Sequence, residues 1–244
     1  RYQADGVGLA GLAALALVNV CGVGIASARP DWAPQLAVLA MLSGAAARLI
    51  AFRPEVLPEG EGELVRNVLS AAASAMLATL AWNVLPAELV TVAWALEGLL
   101  LVELGFVLRI AFLAHLGHAT GAVAFARLFL ANFTGTGVTG VISHRVLTVL
   151  PVVVLHYYLW KRLRDQGQVK LSRVYLYTAA FLGAVLMRFE FGRVFTVTGW
   201  SVFALALLAL GIRHVEPDLR WQSYMLAIAA FIRSWITNFY IPES

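Results

Sequence analysis

Charge is scarce in this sequence. Only 13% of its 244 residues are Asp, Glu, Lys or Arg, where a soluble domain carries about a quarter. Sixty-one percent are apolar and the mean hydropathy is +0.80, more apolar side chain than one water-soluble core can hide. The bilayer must therefore act as solvent. Cysteine is nearly absent: Cys21 stands alone, so no disulfide closes within the chain and no zinc spacing exists. Set in an apolar run, Cys21 reads as a small buried hydrophobe. Apolar and polar residues do not alternate with period two, which argues against a membrane β-barrel. In hydrocarbon every backbone N–H and C=O needs an internal partner, and the α-helix supplies it. The net charge of +4 is spread among loops and reads as membrane topology, not as a nucleic-acid surface.

The apolar runs are near the roughly 20 residues that cross about 30 Å of hydrocarbon. They predict an all-α, polytopic bundle of about nine helices forming a single integral membrane domain over 1–244. The predicted spans are 6–26, 34–52, 65–84, 87–108, 111–131, 146–160, 174–187, 195–212 and 221–239. The first is too long for a signal-peptide core and no polar domain follows it, so it is read as a helix. Charged and proline-bearing segments separate the spans, among them Lys161-Arg162 through Lys170 and Glu216-Pro217-Asp218. With the basic 161–173 loop placed in the cytoplasm, twelve of the eighteen Lys and Arg residues fall inside and six outside. That split puts the N-terminus in the cytoplasm.

The chain also repeats itself without gaps at an offset of 106 residues, with units of about 87–133 and 193–239. Trp94 matches Trp200, Leu104-Gly105 matches Leu210-Gly211, Ala124-Phe125 matches Ala230-Phe231, Arg127 matches Arg233, and Asn132-Phe133 matches Asn238-Phe239. Each copy reads as a helical hairpin. Its glycine suits a left-handed helix end, its Trp a headgroup layer and its Arg an interface reached by snorkelling. A fainter echo at 78–79 residues relates Ala47-Arg48-Leu49 to Ala126-Arg127-Leu128. Two readings of the repeat stand open: duplication of a stable hairpin, or a transporter-style repeat around a site.

Ionisable residues within spans are functional candidates because they are expensive there. Glu97 and Glu103 share one span, but six residues turn them about 120° apart, so they form no simple carboxylate pair. Glu97, the deeper, is either a proton-relay or cation site or a structural hydrogen bond to a neighbouring helix. Arg127 and Arg233 either hold an anionic headgroup or substrate or snorkel. His115 and His118 share a helix face; with His156 they are either haem or metal ligands or hydrogen-bonded helix contacts. Arg188, Glu190 and Arg193 predict a local ion-pair cluster, with Glu190 facing Arg193. Ala71-Ala72-Ala73-Ser74-Ala75 predicts a close helix-packing face.

The stretch Trp94-Ala95-Leu96-Glu97-Gly98-Leu99-Leu100, followed by Leu104-Gly105, Ala126-Arg127-Leu128-Phe129-Leu130-Ala131-Asn132-Phe133 and Arg145-Val146-Leu147-Thr148, resembles the DUF2339 group of bacterial multispanning membrane proteins. The second hairpin fits the same pattern, with Phe203 where the first has Glu97. The resemblance implies a bacterial inner-membrane location and carries no activity. No motif for nucleotide, metal or covalent chemistry is present and the loops are short. The expectation is therefore a non-enzymatic structural or accessory subunit of a membrane complex. It would have no cofactor, its partners being the bilayer and other membrane subunits rather than nucleic acid. Two alternatives stand: a transporter or lipid- or glycan-handling protein with a site near Glu97 and Arg127/Arg233, and a haem-bearing electron carrier.

Overall fold

A computed structural model describes residues 33–52, 61–134, 137–139 and 142–240. The expected first span and Cys21 lie outside the described residues. Eight helices follow in order: α1 Ala33–Phe52, α2 Glu61–Val84, α3 Ala87–Leu108, α4 Ala111–Arg127, α5 His144–Asp165, α6 Val169–Glu190, α7 Gly192–Arg213 and α8 Pro217–Tyr240. A π-turn, Leu128–Asn132, prolongs α4. Between it and α5 lie β1 Val138–Thr139 and β2 Ile142–Ser143, paired antiparallel with Val138 opposite Ser143.

Seven of these helices are long and apolar enough to cross a membrane. The exception is α8, which spans 24 residues but carries Asp218, Arg220, Gln222 and Arg233. Side chains facing outward are largely hydrocarbon, including Leu100, Val107, Leu130, Phe195, Leu205 and Phe231. Water does not solvate such a surface, and a bilayer does. The chain is a multispanning helical membrane protein.

Two helices outrun their expected limits. The spans expected at 146–160 and 174–187 are each 22 residues long. The supposed basic loop between them shrinks to a turn. Gly167 is left-handed there (φ +75°), its N–H bonds to Arg164 O at 2.9 Å, and the Gln168 N–H bonds to Leu163 O at 2.9 Å. Lys161, Arg162 and Arg164 thus lie on the last turns of α5, where basic side chains reach the interface along their own stems while the backbone stays helical. At the other end of α5, the Ser143 hydroxyl caps the helix by accepting from the Val146 N–H at 3.2 Å.

The chain divides into two compact units, Arg1–Arg127 and Leu128–Ser244. In the first, α1 packs on α2 and α3 on α4, with α2 also meeting α3 and α4. Leu36, Ala40 and Met76 close the α1–α2 contact. In the second, α5 packs on α6 and α7 on α8, with α6 also meeting α7 and α8. Leu176, Leu207 and Leu219 form its centre, covered by Tyr157, Trp160, Phe203 and Leu226. Salt bridges from Arg164 to Glu216 and from Arg173 to Asp218 (3.0 Å) tie α5 and α6 to the start of α8.

The turns α3–α4 and α7–α8 are made alike. Arg109 and Val215 are both left-handed at φ 55°. Ile110 and Glu216 bond back to Gly105 O and Gly211 O at 2.9 and 2.8 Å, and Arg109 and Val215 to Phe106 O and Ile212 O at 3.3 and 3.2 Å. This is the paired-bond closure that satisfies the last carbonyls of a helix. The expectation that Gly105 and Gly211 supply the left-handed residue is therefore wrong. They stay helical and let the partner helix come close: a Cβ on Gly105 would stand 2.6 Å from Ala114 N, and one on Gly211 3.0 Å from Arg220 N.

Candidate functional site

Each unit holds a Trp–Arg clasp at the matching place. In the first unit the Trp94 indole N–H donates to Ala78 O on α2 at 2.9 Å. In the second, Trp200 donates to Ala184 O on α6 at 2.8 Å. The Arg127 guanidinium lies 5.6 Å from the Trp94 ring and the Arg233 guanidinium 5.7 Å from the Trp200 ring. All six residues are related by 106 positions. The indole N–H groups expected at a headgroup layer are thus committed to a neighbouring helix. Buried polar hydrogens in hydrocarbon require such partners.

The two clasps differ in their third member. Arg127 lies against a pair of stacked indoles, 4.3 Å from the Trp82 ring, with the Trp82 and Trp94 centroids 5.7 Å apart. It also donates to Ala87 O at 3.0 Å. The position of Trp82 is taken in the second unit by Arg188. Arg188 forms no hydrogen bond or ion pair with any described residue, and the Arg193 side chain of the expected Arg188, Glu190 and Arg193 cluster lies outside what is described. Glu190 ends α6 and Gly192 opens α7, so Glu190 and Arg193 do not share a helix. Glu190 instead accepts from the Ser143 hydroxyl at 2.7 Å.

Glu97 on α3 accepts a 2.6 Å hydrogen bond from Ser74 on α2. Ser74 is itself buried, as is Ala72; these two of the small-residue run 71–75 are the ones that pack inward. In the second unit both partners change together: Ala180 stands for Ser74 and Phe203 for Glu97. The Phe203 ring fits beside Gly183, 3.3 Å from where a Cβ would lie; Leu77 occupies that place in the first unit. Glu103 lies on the same helix, six residues farther along.

His115 and His118 lie on α4 in the first unit, and His156 on α5 in the second. His156 Nδ1 is bonded to Val152 O at 2.8 Å, and its ring packs on Tyr175 at 5.3 Å. Among the described residues no group of three or more His, Cys, Asp or Glu side chains could hold a metal ion.

Sequence reasoning missed Gly98, Gly117 and Gly121. The α3 and α4 backbones touch there: a Cβ on Gly117 would lie 2.5 Å from Gly98 O, and one on Gly98 2.8 Å from Gly117 O and 3.0 Å from Gly121 N. The signal was present, since Gly117-x-x-x-Gly121 is the small-residue spacing of close helix pairs in membranes. Gln222 was missed as well. No family model, curated protein or solved structure matches this chain.

Proposed function

We propose that this protein is a non-enzymatic structural subunit of a larger assembly in a bacterial inner membrane, with its N-terminus in the cytoplasm, built from two copies of one helical module. One observation carries the reading. The Trp–carbonyl bond, the Arg–Trp contact and the left-handed turn recur at a spacing of 106 residues. The polar groups that first suggest chemistry are occupied in holding helices together: Glu97 by Ser74, Arg127 by two indoles and a carbonyl, and the Trp94 and Trp200 N–H groups by backbone. The DUF2339-like motifs of the hairpins include these clasp residues, so the resemblance is consistent with a family that keeps a scaffold. A transport site at Glu97 and Arg127 has less support, because Glu97 is engaged by Ser74 and Arg127 by Trp82, Trp94 and the Ala87 carbonyl.

The test is native mass spectrometry of the protein released gently from its own membrane. Fixed stoichiometry with other chains is expected. Release as a lone chain or a homo-oligomer would refute the subunit reading.

A further inference from the structure

Arg188 stands two residues before the end of α6 and is half-buried, yet no hydrogen bond or ion pair to a described residue engages it. Other arginines of the described helices are occupied: Arg127 by Ala87 O, Arg145 by Phe133 O, Arg164 by Glu216 and Arg173 by Asp218. A guanidinium at the edge of hydrocarbon is costly unless an anion or a carbonyl takes its N–H donors. Arg188 instead borders a groove of about 500 Å³ within the second unit, between α6, α7 and α8. Phe181, Val185, Leu207, Met225 and Leu226 give this groove hydrocarbon walls. Along α6 it runs from Arg188 back to Tyr177, eleven residues, roughly 16 Å at the helical rise. That is about half of a hydrocarbon core of roughly 30 Å. The groove therefore has the depth of one leaflet, and the one cation of its lining sits at the helix end, where headgroups lie. In the first unit the position of Arg188 carries Trp82, stacked on Trp94, an indole where the second unit has a cation.

We propose that this groove is a binding site for one anionic phospholipid of the bilayer. Its phosphate pairs with the Arg188 guanidinium, and one acyl chain lies inward along Phe181 and Leu226 toward Tyr177. Arginine meets a phosphate bidentately, and a chain seated in the groove gains contacts with walls that no helix of the unit covers. The charge selects the headgroup, and the depth of the groove admits a tail from one leaflet. The site lies wholly within the second unit and goes beyond the subunit reading without depending on it.

The experiment titrates the full chain in a non-ionic detergent with two lipids that share their tails, reading occupancy by native mass spectrometry. One is dioleoyl phosphatidylglycerol, and the other is dioleoylglycerol, which lacks the phosphate. The phosphatidylglycerol should bind about tenfold or more tightly, the value of one hydrogen bond to a charged group. Arg188→Gln should erase that preference and leave dioleoylglycerol unchanged. Arg188→Lys, which keeps the charge but not the fork, should fall between. Arg213→Gln, at an exposed arginine outside the groove, should leave the preference intact. Ala229→Phe, which sets a ring into the groove wall on α8, should weaken both lipids severalfold. Equal affinity of the two lipids for the unsubstituted protein would overturn the proposal, as would a preference that survives Arg188→Gln. A preference lost equally in Arg213→Gln would overturn it too, by showing a general attraction to basic surface. So would a folded Ala229→Phe protein that holds phosphatidylglycerol as tightly as the parent, since the tail would then lie elsewhere.

Discussion

Replacing Gly117 by alanine tests the closest contact in the first unit. The added methyl would meet Gly98 O at 2.5 Å and Val102 N at 2.7 Å. Both are backbone atoms that no rotamer change can move, so α3 and α4 must separate by several tenths of an ångström along the whole contact. Overpacking of this kind costs about 1–3 kcal/mol, and the helix preference of alanine over glycine returns up to about 1 kcal/mol. The net expectation is a loss of about 1–2 kcal/mol. Gly44→Ala is the internal control, because a Cβ there meets nothing within 4 Å; it should be neutral or slightly stabilising. The assay is reversible unfolding in mixed micelles, comparing both variants with the parent. If Gly117→Ala is as stable as Gly44→Ala, the close α3–α4 approach is not what holds this hairpin.

Trp94→Phe and Trp200→Phe should each lose about 0.5–1.5 kcal/mol, since each removes one interhelical hydrogen bond and weakens one Arg–ring contact; the same unfolding assay should give matching losses. Val215→Gly should stabilise by about 1 kcal/mol, because a β-branched residue is strained in the left-handed region, and a lower unfolding midpoint would contradict the turn geometry. Glu97→Gln should change stability by less than about 0.5 kcal/mol, since an amide oxygen still accepts from Ser74. Glu97→Phe should be markedly worse, about 1–3 kcal/mol, because the first unit carries Leu77 at the position of the Gly183 that lies beside Phe203 in the second; equal tolerance of the two variants would remove the steric part of this account.

Composition and run length alone determined that the chain is helical and lives in a bilayer, because hydrocarbon permits few ways to satisfy a backbone and scarce charge leaves little else. The 106-residue spacing located Trp94, Trp200, Arg127 and Arg233, and the structure joins them in two like clasps. What the residues are for was decided only by their neighbours. Whether the Trp94 N–H meets lipid headgroups or Ala78 O depends on how α2 is rotated, and periodicity is silent on rotation when a helix is apolar all round. The left-handed residue of the hairpin turn proved to be Arg109, not Gly105, since a glycine serves equally well for a close approach and for a turn. Gln222 shows the widest gap between the two levels. In the sequence it is one polar residue near a helix start, and only the packing of α6, α7 and α8 leaves its amide buried and without a hydrogen-bond partner among the described residues.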